Sequence, residues 1–196
     1  MINLACKIPR QVALACSGGR DSMSALEFLV RGRREVTVAH YNHGTDHGHE
    51  AESFVRDFCA DRGLSCVVGA FSNGEKPTEL AWRQARYAFL STLGMPVITA
   101  HHLGDAVEWW IFSALRGNPN LTPIIRNDIP VLRPFLLTHP NDLHNHFGGY
   151  PHIEDPTNST DEHARNIIRN DLVPTALRVN PGLFTTVKNL YERDNA

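Results

Sequence analysis

Residues 11–22 read QVALACSGGRDS and decide the fold of the chain. Gln11–Cys16 is a short apolar run, and two glycines follow it directly before Met23–Val30, where apolar residues have helical spacing. A buried strand that turns at glycines into a helix is the opening of a βα unit. We therefore predict a glycine-rich turn between a first strand and a first helix.

The same alternation of strand and helix occurs three more times along the chain. The further strand candidates are Val36–Tyr41, Ser65–Phe71 and Val97–Ala100, and the further helix candidates are Glu50–Arg62, Glu79–Leu93 and Asp105–Arg116. Repeated βαβ units predict an α/β fold, an open parallel sheet with helices on both faces.

The pattern changes after Gly117. Five prolines interrupt residues 118–140, and helical spacing returns only near Glu162–Asn170 and again from Leu183. We expect residues 1–117 to form an α/β core and residues 118–196 to form a loop and helical extension that completes the same domain.

The composition narrows the class of protein. The formal net charge of −2 gives no field for non-specific binding to nucleic acid. The four cysteines (Cys6, Cys16, Cys59, Cys66) form no C-x-x-C pair, which argues against a structural zinc or an iron–sulfur cluster. No apolar run is long enough for a membrane span and no signal segment is evident, so we expect neither secretion nor a membrane partner. Cys16 and Cys66 lie in apolar, strand-like runs, and we expect the reducing compartment of the cytoplasm.

The loop Ser17–Ser22 has the chemistry of a phosphate site. In an open parallel sheet, ligands bind beyond the carboxyl ends of the strands. Gly18 and Gly19 let successive backbone N–H groups point at one anion, and the helix start adds its dipole. Asp21 can hold a divalent ion, and the alternative is a plain glycine turn with Asp21 or Ser22 capping the helix. The loop is neither a Walker A sequence nor a dinucleotide fingerprint.

A second constellation lies at residues 101–108, HHLGDAVE, where the fourth strand ends. Asp105 and Glu108 are three residues apart and share one face of a mostly apolar helix. Buried carboxylates are costly unless they meet a cation or a ligand, although complementing the helix dipole would also explain them. His101 and His102 are weaker metal candidates because neighbours on a strand point to opposite faces.

Three histidines and two pairs of arginines are further candidate ligands, each with a solvated surface position as the alternative. His43, His47 and His49 suggest a metal, but their loop-like setting favours solvated histidines. Arg83 and Arg86 are placed i, i+3 and could clamp a polyphosphate, and Arg165 and Arg169 are placed i, i+4. A solvated helix face remains the alternative for both pairs.

These motifs resemble a known family. S-G-G-x-D-S after the first strand is similar to the pyrophosphate loop of the N-type ATP pyrophosphatases (PP-loop superfamily, adenine nucleotide alpha-hydrolase-like fold). His101–Glu108 resembles the H-H-x-D-D-Q-x-E-T signature of the tRNA(Ile)-lysidine synthetases. Gly104, Ala106 and Trp109 depart from that signature.

Further matches extend along most of the chain. They are Asn42-His43-Gly44, Glu79-x-x-x-Arg83-x-x-Arg86-Tyr87, Arg116-Gly117, Arg133-Pro134, Asp155-Pro156-Thr157-Asn158 and Arg165-Asn166-x-Ile168-Arg169. The resemblance implies ATP binding by Ser17, Gly18, Gly19, Arg20, Asp21, Ser22, Arg83 and Arg86. It implies catalytic roles for Asp21, Asp105 and Glu108, with Mg²⁺ held by Asp21 and Asp105, and substrate contacts by His101, Glu108, Arg133, Arg165 and Arg169.

The implied activity is an ATP-dependent carbon–nitrogen ligation. The family adenylates O2 of cytidine 34 in tRNA(Ile) with a CAU anticodon, and free L-lysine then displaces AMP to form lysidine. Family members generally continue into further tRNA-binding domains, so we expect RNA selection here to rest on the catalytic domain, a homodimer or a partner. The alternatives are a related PP-loop enzyme for thiolation or amidation, and a non-catalytic nucleotide-binding module.

Overall fold

The protein is described by a computed structural model that covers residues 1–71, 78–126, 128–147, 150–154, 156 and 164–194. The described strands are β1 (Gln11–Ala15), β2 (Glu35–Asn42), β3 (Ser65–Ala70), β4 (Val97–Thr99), β5 (Ile125–Arg126) and β6 (Val131–Leu132). The described helices are α1 (Arg20–Arg31), α2 (Asp46–Asp61), α3 (Glu79–Ser91), α4 (Leu103–Leu115), α5 (Pro140–Phe147), α6 (Ala164–Ile167), α7 (Val173–Val179) and α8 (Leu183–Asp194), with a π-helical turn at Ile168–Leu172 between α6 and α7.

The strands form one sheet with the order β3-β2-β1-β4-β6-β5. All neighbouring pairs are parallel except β5 with β6, which is antiparallel. The strand order reverses direction between β1 and β4, and the crevice at such a switch point is where open α/β sheets bind ligands. The predicted open parallel sheet is confirmed.

Helices cover both faces of the sheet because successive strand residues point to opposite sides. Val12 and Leu14 of β1 pack with α1 and α2, whereas Ala13 lies in the cluster that contains Tyr87 and Leu90 of α3. A third apolar cluster joins α4 to α8 and includes Val107 and Val187, both fully buried. This cluster ties the helical C-terminal region to the helix that carries Asp105 and Glu108.

The region after Gly117 contains more regular structure than its prolines predict. Strand β6 pairs with β4, so the sheet continues beyond residue 117. Helix α5 was missed because Pro140 was interpreted as a breaker, whereas it is the first residue of the helix, where proline is tolerated. The helix predicted at Glu162–Asn170 is observed from Ala164, and Glu162 lies outside the described residues.

Candidate active site

The loop Ser17–Ser22 connects β1 to α1 at the carboxyl edge of the sheet. Helix α1 begins at Arg20, three residues earlier than its apolar spacing predicts, so Asp21 and Ser22 lie in its first turn. Gly18 has a φ of +85°, and an added Cβ would meet Ile153 at 3.2 Å and Phe54 at 3.3 Å. Only glycine fits this turn without strain, which explains why the loop needs it at this position.

Asp21 is the centre of a small polar cluster above the loop. Its Oδ1 lies 2.5 Å from Nε2 of His144 in α5 and 3.4 Å from Nε2 of His102, which caps α4. Burial would raise the pKa of Asp21, but hydrogen bonds and charge from His102 and His144 outweigh it and hold that pKa well below its ordinary value. Asp21 is therefore a carboxylate at neutral pH.

Asp105 forms a capping box at the start of α4. Its Oδ2 accepts from the backbone N–H of His102 at 2.8 Å, and its own backbone N–H faces Nδ1 of His102 at 3.4 Å. Burial would raise the pKa of Asp105, and the charges of His102, His101 and Arg165 lower it below its ordinary value. Its Oδ1 accepts from Nη2 of Arg165, so both oxygens have partners from this chain.

Glu108 is one turn further along α4 and has a side chain that is 7% exposed. Arg169 donates to it from Nε at 2.6 Å and from Nη2 at 3.1 Å, and Arg165 donates from Nε at 2.9 Å. Burial would lower the pKa of Arg169, but the Glu108 hydrogen bonds and charge raise it overall. The i, i+4 arginines are thus ion-pair partners of the α4 carboxylates, not a solvated face.

Two cavities meet at Asp105 and Arg165. One, of about 410 Å³, lies over the loop and is lined by Ser17, Asp21 and Ser22. The other, of about 530 Å³, lies further along α4 and is lined by Glu108, Trp109, Phe112 and Arg133, among others. Asp105 and Arg165 line both, so they stand at the boundary between two neighbouring binding volumes.

The two arginines of α3 are not brought to one place. Arg86 lines the cavity over the loop, and its buried Nε has no partner among the described residues, as expected for a group that awaits an anion. Arg83 lines the cavity along α4 instead. The guanidinium groups of both lie over Tyr87, at 5.3 and 5.4 Å from its ring centroid. Arg86 and Arg83 thus lie near the same ring but line different cavities, and phosphate binding by either stays a prediction.

Arg133 has a structural partner. It is 3% exposed and donates from Nη1 to the carbonyl of Pro123 at 2.5 Å, which fixes the segment between α4 and β6. Its buried Nε has no partner in the part of the chain that the structure describes. A substrate contact by Arg133 therefore stays a prediction.

The histidines divide into different environments. His101 and His102 diverge as expected: Nδ1 of His101 lies 2.8 Å from the Thr99 hydroxyl, while His102 joins the Asp21 cluster. Burial, with nearby arginines, lowers the pKa of His101 to about 4, so its ring is neutral. The loop-like setting expected for His47 and His49 is wrong, because both lie in the first turn of α2, where His49 contacts Asn42 at 3.1 Å.

The residues fit Mg²⁺ only in part. Mg²⁺ prefers oxygen ligands in octahedral geometry and keeps several waters. Asp21 is half-buried and faces the loop cavity, so it can supply one such oxygen. Asp105 is engaged by Arg165 and by the backbone of His102, and it would have to exchange a partner to join. A magnesium pair of Asp21 and Asp105 stays a prediction.

Sequence reasoning missed His144. This residue lies 123 positions from Asp21 in a helix that was not predicted, and no motif marks it. It is held in place because its neighbour Leu143 is fully buried in the core that includes α1. Of the turn Asp155-Pro156-Thr157-Asn158, residues 155, 157 and 158 lie outside the described residues.

The glycine loop at a switch point, with carboxylates at the start of two neighbouring helices, defines a nucleotide-binding α/β protein. The chain belongs to the PP-loop domain family, whose model matches residues 3–176.

Three similar curated proteins share the name tRNA(Ile)-lysidine synthase. The chain is 30% identical to the tRNA(Ile)-lysidine synthase of Bacteroides thetaiotaomicron over 94% of this chain and 47% of that protein. It is 30% identical to that of Petrotoga mobilis (87% and 61%) and 32% identical to that of Lactiplantibacillus plantarum (94% and 46%). The chain thus spans about half the length of most of these curated relatives.

One solved structure has a weak likeness. The NH3-dependent NAD synthetase of Campylobacter jejuni matches 96% of this chain and 86% of its own with a TM-score of 0.48 and 14% identity, which is too low to carry an argument. Among the described residues, no helix is long and apolar enough to cross a membrane.

Proposed function

We propose that this protein is an ATP-dependent tRNA-modifying ligase of the lysidine-forming type. It binds ATP over the loop Ser17–Ser22, adenylates O2 of cytidine 34 in tRNA(Ile) with a CAU anticodon, and replaces AMP with free L-lysine. The name shared by the curated relatives supports the reaction class. The observation that carries the proposal is the pair of cavities that meet at Asp105.

The cavity over the loop fits the nucleotide. Backbone groups of the loop and the N-terminus of α1 supply positive potential, and Arg86 supplies a buried guanidinium with an unused Nε. Ser17, Ser22 and Asp21 line the same cavity. We assign the β- and γ-phosphates to the part of the cavity next to the loop.

The cavity along α4 fits the acceptor. Trp109 and Phe112 give it an aromatic wall, and single-stranded bases are recognised by stacking on such side chains. Trp109 is 42% exposed, so part of its ring is accessible to a ligand. This cavity would place a splayed base next to the boundary residues Asp105 and Arg165.

The chemistry balances in two steps. The O2 atom of cytidine forms a bond to the α-phosphorus of ATP as the bond to the β-phosphate oxygen breaks, and pyrophosphate leaves. The ε-ammonium group of lysine gives up one proton to solvent, its nitrogen forms a bond to C2, the C2–O2 bond breaks, and AMP leaves with that oxygen. Neither step needs a covalent nucleophile from the protein, so positioning and electrostatics supply the catalysis.

The residues of the chain have distinct tasks in this scheme. Mg²⁺ held by Asp21, and by Asp105 after an exchange of partners, would offset charge on the phosphates. Arg165 at the cavity boundary would face the leaving AMP. Glu108 would attract the lysine ammonium, which must then compete with Arg169 for the carboxylate.

Three narrower points belong to the same proposal. A tRNA substrate and free lysine imply the cytoplasm as the compartment. Division of the domain at residue 117 and formation of a homodimer stay predictions.

The test is mass spectrometry of nucleosides from a C34-containing tRNA(Ile) incubated with the chain, ATP and lysine. We expect lysidine with wild-type protein and none with Asp105→Asn, whereas Glu35→Gln, a change at an exposed ion pair, keeps it. ATP consumption without lysidine, supported instead by ammonia or sulfide donors, would favour another PP-loop reaction. ATP binding without turnover would indicate a non-catalytic module.

A further inference from the structure

The Asp21 cluster has the composition of a metal site. Asp21 comes from the first turn of α1, His102 from the start of α4 and His144 from α5, and their ligand atoms lie within 4.8 Å of one another. Both histidine side chains are largely enclosed, at 9% and 13% exposed. Three separate elements thus converge on one point, and the two Nε2 atoms face the same carboxylate oxygen.

The distances are close to those of a bound ion. Zinc takes nitrogen and oxygen ligands at about 2.0–2.2 Å, so two ligands at a tetrahedral angle are about 3.3 Å apart. The separation of 3.4 Å between Asp21 Oδ1 and His102 Nε2 matches that spacing. His144, now at 2.5 Å, would move outward by less than about 1 Å to make room for the ion.

The orientation of His102 is fixed from its other side. Its Nδ1 lies 3.4 Å from the backbone nitrogen of Asp105 and 3.2 Å from Oδ2 of the same residue, so the ring is held from that side; with an ion on Nε2, the ring proton would sit on Nδ1 and be donated to Oδ2. A carboxylate behind a ligating histidine is the usual way in which proteins fix the tautomer and ring orientation of a metal ligand. Asp105 would thus support this site as a positioning residue.

Gly104 makes room for that histidine. A Cβ at this position would lie 2.8 Å from Cε1 and 3.0 Å from Nδ1 of the His102 ring. A side chain at position 104 would force the ring or the neighbouring backbone to shift. The absence of a side chain here is therefore part of the geometry that brings His102 to the cluster.

We propose that Asp21, His102 and His144 bind one divalent transition-metal ion of the zinc or cobalt type next to the glycine loop. Two imidazoles and one carboxylate suit such ions, whereas Mg²⁺ and Ca²⁺ favour sites made of oxygen alone. The cluster lines a cavity of about 480 Å³ together with Ser17, Gly19 and Arg20. The remaining coordination positions face that cavity and are open to water or to a phosphate oxygen. Both histidines face Oδ1 of Asp21, so Oδ2 would be the oxygen left for the Mg²⁺ of the proposed reaction.

The site is tested without ATP or RNA, so its failure is separate from a failure of the proposed function. Untagged, chelator-treated protein is titrated with Co²⁺ while visible d–d absorption is followed, and with Zn²⁺ by calorimetry. We expect one ion per chain, and no displacement by excess Mg²⁺. Absence of stoichiometric Co²⁺ or Zn²⁺ binding, or ready displacement by Mg²⁺, would overturn the proposal.

Variants separate the cluster from other histidines. His144→Gln and His102→Gln should weaken Co²⁺ binding at least about 100-fold, and Asp105→Asn about 10–100-fold. The matched control is His152→Gln, which removes a histidine that pairs with Glu154 at 3.1 Å. Equal affinities of His144→Gln and His152→Gln would contradict the assignment.

A variant that is expected to gain an absorption band distinguishes a lost ligand from a folding defect. His144→Cys should still bind Co²⁺ and should add a thiolate-to-cobalt charge-transfer band that wild-type protein lacks. Cobalt bound by His144→Cys without this band would show that position 144 is not a ligand.

Discussion

The ion pairs of Glu108 offer a sharp test of how the site is held together. Glu108 is 7% exposed and accepts three hydrogen bonds, from Arg165 at 2.9 Å and from Arg169 at 2.6 and 3.1 Å. Glu108→Gln keeps the shape of the side chain but removes its charge and sets an NH2 group against the guanidinium donors. The two arginines then lose their common partner in a largely enclosed place.

The expected cost follows from the exposure of each partner. Hydrogen bonds to charged groups contribute about 1.5–3 kcal/mol when enclosed. Arg165 is 53% exposed, so water replaces most of the free energy of its hydrogen bond to Glu108. Arg169 is 37% exposed, so the loss of its hydrogen bonds to Glu108 costs more. We estimate a loss of about 2 kcal/mol, which for a chain of this length lowers Tm by about 4–8 °C.

The assay is thermal unfolding of wild type, Glu108→Gln and the matched control Glu35→Gln. Glu35 pairs with Arg10 where the side chains are 56% and 83% exposed, so its loss should cost at most about 0.5 kcal/mol. Arg169→Met in the Glu108→Gln background should recover about 1 kcal/mol, because it removes a guanidinium whose one remaining ion pair among the described residues is with Asp105, at 3.5 Å. Equal Tm shifts for Glu108→Gln and Glu35→Gln would refute this account of the site.

The remaining predictions concern catalysis, pH and packing. Asp105→Asn should reduce AMP release by more than about 100-fold, while the far-ultraviolet circular dichroism spectrum stays unchanged. Retained AMP release would show that Asp105 takes no part in the reaction. Burial and Arg86 lower the pKa of His43 to about 4, so the unfolded chain binds the extra proton below pH 6.5. The stabilisation by neutral His43 is thus complete above pH 6.5 and is lost as the pH falls toward 4. His43→Gln should therefore reduce the fall in Tm between pH 7 and 5. An identical fall in wild type and His43→Gln would contradict this. Gly104→Ala should lower stability by about 1 kcal/mol in thermal melts because its Cβ meets the His102 ring at 2.8 Å, and an unchanged or higher Tm would show that the ring yields freely.

The four βα units could be predicted because their signals are local. A strand such as β1 is a run of apolar residues, and the glycine turn after it needs the backbone freedom seen at Gly18. Apolar spacing set the helices to within a few residues, although α1 begins at Arg20 where polar residues hide the first turn. Strands β5 and β6 have two residues each, too few for any periodicity to show.

The sequence indicated which residues belong to the site better than it indicated which of them contact one another. Asp21, Asp105 and Glu108 were singled out by charge at strand ends, and the structure places all three at the carboxyl edge of the sheet. That Glu108 pairs with Arg169, or that His144 meets Asp21, depends on how distant helices pack, and sequence spacing carries no such information. The helix α5 that carries His144 begins at a proline, which hid it.

The position of the cleaved bond in ATP separates AMP transfer from transfer of the terminal phosphate. ATP labelled at the α-phosphate is incubated with the chain, L-lysine and a C34-containing tRNA(Ile), and the labelled products are separated. Cleavage over the loop Ser17–Ser22 predicts AMP, with pyrophosphate in equal amount and dependent on the RNA. Labelled ADP with free phosphate, in place of AMP, would contradict the proposed function.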